Sequence, residues 1–310
     1  ETAPGNGEIA YLIYTSGTTG QPKGCVIGFD ALIAIARTYC SSYGLDHNSR
    51  MTFLADIAFD AAMIEWVPAL FCGATSYIVD KSTLLNPQLL ARFYREHEIT
   101  FSWLPTPLAE ILMKDPSVEL PVSLKSFQTA GQRLTVRPPQ HWHTKVINAY
   151  GPSETTVIAT SSVVSSEGKG LPDIGKPLSG IQCYLLDESQ RPVKQGETGE
   201  LYIGGIGVGS GYWQRPELTD EKFISVPAGV TDIYGNASHQ PEQKLYASGD
   251  VCRLNSDGLL EYIERLDQQV KLNGFRIEIG EVMFQLSALD KVKQAYARVQ
   301  DISGRETLIA

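Results

Sequence analysis

From residue 9 to about 150 the chain alternates short apolar runs with stretches whose apolar residues recur at helical spacing, and this alternation is the strongest constraint on its fold. Ile9–Ile13, Met51–Ala55, Thr75–Val79, Ile99–Trp103 and Lys145–Ala149 read as strands, and Ala31–Tyr39, Ala61–Phe71, Leu89–His97 and Pro107–Lys114 as helices. Asp30 and Asn86 stand where a side-chain oxygen can accept first-turn N–H groups and cap a helix. Apolar residues cover most of Ala31–Tyr39, so that helix is expected to be buried. Strands and helices in turn predict a layered α/β domain with ligand groups at the C-terminal ends of its strands. The texture changes after residue 160. Ser161–Gly170 reads as a flexible Ser/Gly-rich connection, and Ile181–Leu186 and Glu200–Ile203 as strands of a β-rich subdomain. Thr231–Lys244 reads as a mobile polar loop, Leu259–Val270 alternates strand and turn features, and the chain reads as helical from Gly280 onward.

Composition narrows the function classes. At 310 residues the chain can bury a substantial core, in one large or two unequal domains. A hydrophobic content of 43% with 20% charged residues suits a globular protein, and a net charge of −9 argues against a general nucleic-acid or membrane-surface binder. No apolar run approaches the roughly 20 residues of a membrane span, and Glu1-Thr2-Ala3-Pro4 is no signal peptide. The five cysteines (Cys25, Cys40, Cys72, Cys183 and Cys252) form no CxxC pair and read as reduced core thiols of a cytoplasmic protein. The histidines lack metal-ligand spacing, and His141 and His143 read as a surface pair.

Chemistry is concentrated in Tyr14-Thr15-Ser16-Gly17-Thr18-Thr19-Gly20-Gln21-Pro22-Lys23-Gly24, directly after the first strand. Glycines let backbone N–H groups approach an anion, while the hydroxyls and the ammonium add donors, a combination suited to wrapping a polyphosphate. It is not a Walker A loop, where Gly-Lys is followed directly by Ser or Thr. On composition alone a polar surface loop is the competing reading. A second cluster, Asn148-Ala149-Tyr150-Gly151-Pro152-Ser153-Glu154-Thr155-Thr156, offers a ring that can stack on a purine, an amide that can read its edge and a carboxylate that can hold Mg²⁺. Taken alone, Tyr-Gly-Pro is also a common turn.

The first run resembles, almost letter for letter, the phosphate loop of the adenylate-forming superfamily, which comprises acyl-CoA synthetases, luciferases and the adenylation domains of nonribosomal peptide synthetases. Further resemblances follow in the family's order. They are the Tyr-Gly-Pro-Ser-Glu cluster, the block from Gly199-Glu200-Leu201 through Gly211-Tyr212 to Arg215-Pro216-Glu217-Leu218-Thr219, Tyr246-Ala247-Ser248-Gly249-Asp250, and Glu264-Arg265 through Gly274-Phe275-Arg276 to Glu281. Two departures stand out: Gly209-Ser210 replaces the family's Ala-Arg, and Glu264 replaces a glycine. The Gly199–Thr219 block is assigned a mainly structural role.

The resemblance implies a layered α/β core over residues 1–266, with a β-rich subdomain, and a hinge at Asp267. Residues 267–310 would then begin a small C-terminal α+β domain. It implies catalytic roles for Thr15, Lys23, Glu154 and Arg265. It places the nucleotide against Thr15, Ser16, Gly17, Thr18, Thr19, Gly20, Lys23, Asn148, Tyr150, Gly151, Ser153, Asp250 and Arg265. Within that set Tyr150 would stack on adenine, Asn148 would lie near its exocyclic amine, Asp250 would chelate the ribose hydroxyls and Glu154 would hold Mg²⁺. Ser153 and Thr155 would contact phosphate or the acyl group. The implied cofactors are ATP and Mg²⁺, with phosphopantetheine supplied by a carrier domain. The implied partners are an amino acid, a peptidyl carrier domain and neighbouring synthetase modules.

Asp60 points to the amino-acid-activating branch, in which an aspartate at this place pairs with the substrate's α-ammonium. A carboxylate in so apolar a setting wants a cation, although Asp60 could instead cap the helix that follows it. The rest of the implied pocket is Ala61, Ile64, Trp103, Gln128, Ala130, Ala149, Val157 and Ile158. This lining is apolar with one amide, so it disfavours charged side chains and suits a small or medium neutral one, with Gln128 available for a hydrogen bond. Two other readings stay open: an acyl- or aryl-CoA ligase of the same superfamily, and a catalytically impaired module that binds nucleotide or carrier. The family usually has a longer stretch ahead of the phosphate loop, and its late catalytic lysine has no counterpart in a matching motif here. The sequence therefore reads as truncated at both ends.

Overall fold

The computed structural model describes residues 8–16, 21–227, 229–236, 243–267, 269–272, 275–289, 291–302 and 305–310. The strands β1 (Ile9–Thr15) and β2 (Lys23–Gly28) pair antiparallel with Thr15 opposite Lys23, so the two described ends of the phosphate-loop motif lie side by side. Helix α1 (Phe29–Tyr43) follows without a break. Here the sequence reading is corrected: the N-cap is Gly28, and Asp30 lies inside the first turn. The strand runs straight into the helix, and the Phe29 N–H bonds the Glu8 carbonyl, which leaves no capping position for Asp30. Only one face of α1 is buried, through Leu32, Ile35, Ala36 and Tyr39, while Phe29 is exposed.

The next elements alternate: β3 (Arg50–Phe53), α2 (Ala61–Cys72), β4 (Thr75–Ile78), the short α3 (Lys81–Leu84), α4 (Pro87–Glu96), β5 (Phe101–Pro105), α5 (Thr106–Lys114), β6 (Ser126–Ala130) and β7 (Lys145–Tyr150). Asn86 caps α4 as expected, accepting from the N–H groups of Gln88 and Leu89 with Pro87 at the first helical position. The seven-stranded sheet has the order β4-β3-β5-β6-β7-β8-β9 and is parallel through β7. Strand β8 (Thr160–Val163) then returns antiparallel and pairs with β9 (Lys176–Pro177). The supposed flexible connection thus begins as a strand, because Thr160 pairs with Tyr150.

Alternation on the parallel strands sorts side chains to two faces. Phe101, Trp103, Ile147 and Ala149 meet Ile35, Tyr39 and Ile64 from α1 and α2. Leu104, Phe127 and Val146 meet Leu90, Tyr94 and Leu112 from α4 and α5. The first of these clusters continues into β10 (Ile181–Leu186) and β11 (Thr198–Gly205). Strand β12 (Gly211–Tyr212) adds to β2, and α6 (Pro216–Lys222) leads to β13 (Phe223–Ser225). Strands β14 (Lys244–Leu254) and β15 (Leu260–Arg265) complete an antiparallel five-stranded sheet, the expected β-rich part. Of the polar stretch Thr231–Lys244, residues 237–242 lie outside the described residues. Asp232 is buried and anchors its own turn by accepting from the Tyr234 and Asn236 N–H groups.

The last segment holds the hairpin β16 (Gln269–Leu272) and β17 (Phe275–Glu278), helix α7 (Ile279–Ser287) and a second hairpin, β18 (Arg298–Ile302) and β19 (Arg305–Ile309). The helical reading from Gly280 onward therefore ends at Ser287. No helix among the described residues is long and apolar enough to cross a membrane.

Candidate active site

Three groups of predicted residues meet at the turn Tyr150–Glu154. Strand β7 delivers Tyr150 at its C-terminal end, and a 3-10 turn over Ser153–Thr155 follows. Tyr150 Oη donates to Asp250 Oδ2, Ser153 Oγ donates to Asp60 Oδ2, and Glu154 Oε1 lies 3.2 Å from Lys23 Nζ. Gly151 is required here by packing. A Cβ at that position would lie 2.4 Å from the Val157 carbonyl oxygen and 2.6 Å from the Ile158 Cα. Thr156 and Val157 both take left-handed φ values, +59° and +72°, which are costly for β-branched residues.

At the foot of the phosphate loop, Lys23 is buried and its partner Glu154 is fully buried. Tyr212 of β12 completes the group: its hydroxyl donates to Glu154 Oε1 at 2.8 Å and accepts from Lys23 Nζ at 3.1 Å. The sequence reading assigned the Tyr212 block to structure and missed this contact, which joins residues 189 positions apart. Opposite Lys23, Thr15 Oγ1 is buried and has no hydrogen-bond partner among the described residues. An orphaned donor at the start of a glycine- and hydroxyl-rich stretch of sequence fits a phosphate oxygen. The Glu154 carboxylate is likewise the hard oxygen donor that Mg²⁺ takes. Gly17, Thr18, Thr19 and Gly20 lie outside the described residues.

On the other side, Arg265 organises the predicted ribose and hinge residues. Its Nη1 donates to Asp250 Oδ1 at 3.0 Å and to the Ser248 carbonyl at 2.9 Å. Its Nε and Nη2 grip both Asp267 oxygens, at 2.9 and 2.6 Å. Burial first, and then the Asp250 charge, pushes the Tyr150 phenol well above its ordinary pKa, so it remains a donor. Asn148 is buried, and its amide donates to the Asp173 carbonyl at 2.7 Å. The Thr155 hydroxyl turns back to the Pro152 carbonyl.

The expected pocket residues Ala61, Ile64, Trp103, Ala149, Val157 and Ile158 belong to one buried cluster, with Ala130 packed against it. Asp60 precedes α2 and makes no capping hydrogen bond to the helix backbone. Nearby, Tyr11 Oη is buried with no hydrogen-bond partner among the described residues. Its pKa is raised by burial first and by the Asp60 charge second. Gln128 is fully buried, and its amide is hydrogen-bonded at both ends. The oxygen accepts from Tyr39 Oη at 2.5 Å and the nitrogen donates to Tyr43 Oη at 3.1 Å, so α1 holds both ends. A separate groove of about 390 Å³ runs between Ser16 and α7, lined by Ile277, Glu278, Glu281, Val282, Gln285 and Leu286. Apart from Ser16, it contains none of the expected site residues.

A layered α/β core thus carries a cluster of Tyr150, Asp250 and Arg265 on one side of the Tyr150–Glu154 turn and the Lys23–Glu154 pair on the other. The family model described as AMP-binding enzyme matches residues 1–213, and the chain belongs to that family. Bacitracin synthase 3 from Bacillus licheniformis is 38% identical over 292 residues, covering 94% of this chain and 4% of that protein. Gramicidin S synthase 1 from Brevibacillus brevis is 38% identical over 279 residues, 89% of this chain and 24% of that protein. The chain thus spans a small part of these relatives. Among solved structures, an artificially fused adenylation–PCP di-domain of a nonribosomal peptide synthetase from Klebsiella oxytoca matches with a TM-score of 0.81. It is 26% identical over 97% of this chain and 59% of that one. A four-domain nonribosomal peptide synthetase bound to AMP and glycine matches with a TM-score of 0.71 and 30% identity, over 97% of this chain and 22% of that one.

Proposed function

We propose that this chain belongs to an amino-acid adenylation domain of a nonribosomal peptide synthetase. The observation that carries the proposal is the turn Tyr150–Glu154, which contacts Asp250, Asp60 and Lys23 at once. One turn therefore joins a ribose-type carboxylate, a substrate-type carboxylate and the foot of the phosphate loop. An amino-acid carboxylate oxygen attacks the α-phosphorus of ATP, the bond to the bridging oxygen breaks, and pyrophosphate leaves behind an aminoacyl adenylate. Asp60 supplies the counter-charge for the α-ammonium and fixes the carboxylate's approach. Thr15 and Lys23, at the two feet of the loop, serve the phosphates. Tyr150, Asp250 and Arg265 hold the adenosine. Glu154 is the carboxylate that would hold Mg²⁺, whose charge neutralises the departing pyrophosphate when bound.

Residues 1–266 form the catalytic core in this reading, and Asp267 is the hinge to the part beginning at residue 267. The bidentate Arg265–Asp267 pair supports a joint at this place, because it ends the last strand of the five-stranded sheet in a defined pose. The phosphopantetheine thiol of a carrier domain then displaces AMP from the adenylate, losing its proton and forming a thioester. The adenylation–PCP organisation of the matched solved structures supports a carrier partner, and the synthetase relatives support neighbouring modules.

Amino-acid-dependent ATP–pyrophosphate exchange tests the proposal, with this chain and with Asp60→Ala. Exchange should appear with one or a few neutral amino acids and collapse in Asp60→Ala. Exchange driven by aryl or fatty acids and unchanged by Asp60→Ala would assign the chain to the acyl- or aryl-CoA ligases instead.

A further inference from the structure

Asp250 sits on an irregularity of β14. Glu200 pairs with Val251 and Tyr202 with Ala247, so one residue of β11 faces three of β14, namely Ser248, Gly249 and Asp250. Such bulges re-aim side chains, and their peptide groups lose ladder partners that must be replaced. Gly249 has φ +72°, a left-handed conformation suited to glycine. Its N–H donates to Glu200 Oε1 at 3.0 Å, and its carbonyl accepts from the Leu266 N–H at 2.9 Å. The second Glu200 oxygen accepts from Tyr202 Oη at 2.9 Å, which fixes the carboxylate's orientation. Ser248 Oγ bonds the Leu201 carbonyl at 2.6 Å and accepts from the Asp250 N–H at 3.0 Å. Residues 200–202 of β11 therefore hold the bulge from one side while Arg265 holds Asp250 from the other.

We propose that Glu200, steadied by Tyr202, is a positioning residue for nucleotide recognition: it fixes the Gly249 turn that presents the Asp250 carboxylate to the ribose hydroxyls. This rests on the reading of Asp250 as the ribose-binding group. In this role Glu200 acts through the peptide of Gly249. A carboxylate is well suited, because its two oxygens take one backbone and one phenolic donor at once.

The test is calorimetric titration of the purified chain with AMP and with 2′,3′-dideoxy-AMP, which lacks the hydroxyls Asp250 is read to bind. Glu200→Ala should weaken AMP binding about tenfold, the order that loss of a supporting outer-shell contact costs at other sites, and leave the dideoxy compound nearly unaffected. Glu200→Gln, which keeps an acceptor for the Gly249 N–H, should restore most of the loss. Tyr202→Phe should show a smaller loss with the same discrimination, and it decides the matter if Glu200→Ala does not fold. Unchanged AMP binding in these variants, or equal losses for both nucleotides, would overturn the proposal. Asp250→Ala separates the two ideas. If it fails to weaken AMP binding, the ribose reading itself falls; if it weakens binding while the Glu200 and Tyr202 variants do not, only the positioning role falls.

Discussion

Lys23→Met keeps most of the side-chain volume of a buried residue and removes the ammonium that faces Glu154 across 3.2 Å. Glu154 would stay behind fully buried, with the Tyr212 hydroxyl as a neutral donor at 2.8 Å. Removing one partner of a buried pair costs about 3–5 kcal/mol, whereas an exposed pair contributes roughly 0–1 kcal/mol. The lysine and glutamate side chains are 7% and 0% exposed, which decides for the larger figure. Against a typical net stability of about 5–15 kcal/mol, the variant should lose a large fraction of its resistance to urea. The assay is urea unfolding followed by tryptophan fluorescence, compared at constant slope. The double variant Lys23→Met with Glu154→Gln should recover much of the loss, because the buried carboxylate charge is removed with the ammonium, giving a coupling of about 2 kcal/mol or more. A single-variant cost below about 1 kcal/mol, or additive losses in the cycle, would refute the claim that this pair is desolvated and mutually dependent.

Burial pushes the Glu65 carboxyl from 4.5 up to about 8, against the lowering effect of the Ala55 and Leu54 N–H groups. The folded state therefore holds this proton longer than the unfolded one. Its contribution is full below pH 4.5 and is lost as the pH rises through 8, so urea midpoints should fall across that window and Glu65→Gln should flatten the fall. Gln128→Leu strips the acceptor from the buried Tyr39 hydroxyl and should cost about 1–3 kcal/mol in the same unfolding assay. In pyrophosphate exchange it should shift preference towards aliphatic amino acids; an unchanged profile would remove Gln128 from the pocket. Gly151→Ala drives a Cβ into the Val157 and Ile158 backbone and should yield a chain whose stability to urea drops by several kcal/mol, with AMP affinity lost alongside.

Local features were legible because they need no distant partner. The Asn86 cap and the turn at the end of β7 are each written within a dozen residues. Elements with a weak periodic signal were missed, because their form depends on neighbours in the sheet. Ser126–Ala130 mixes polar and apolar residues and is a strand because β5 and β7 flank it on both sides. Lys23–Gly28 is short and bounded by glycines, and its extended form is fixed by pairing with β1 and β12.

The sequence by itself determined the α/β layering, the family's motifs and the identity of the groups that could meet a nucleotide, since these depend on residue type and short-range order. Only the tertiary structure decided which of those groups touch. Tyr150 reaches Asp250 across 100 positions, Ser153 reaches Asp60 across 93, and Tyr212 reaches Lys23 across 189. It also bonded the Gln128 amide to two tyrosines of α1. A buried polar group must find its partner wherever the packed chain brings one, and that position is set by the sheet order, not by spacing along the sequence.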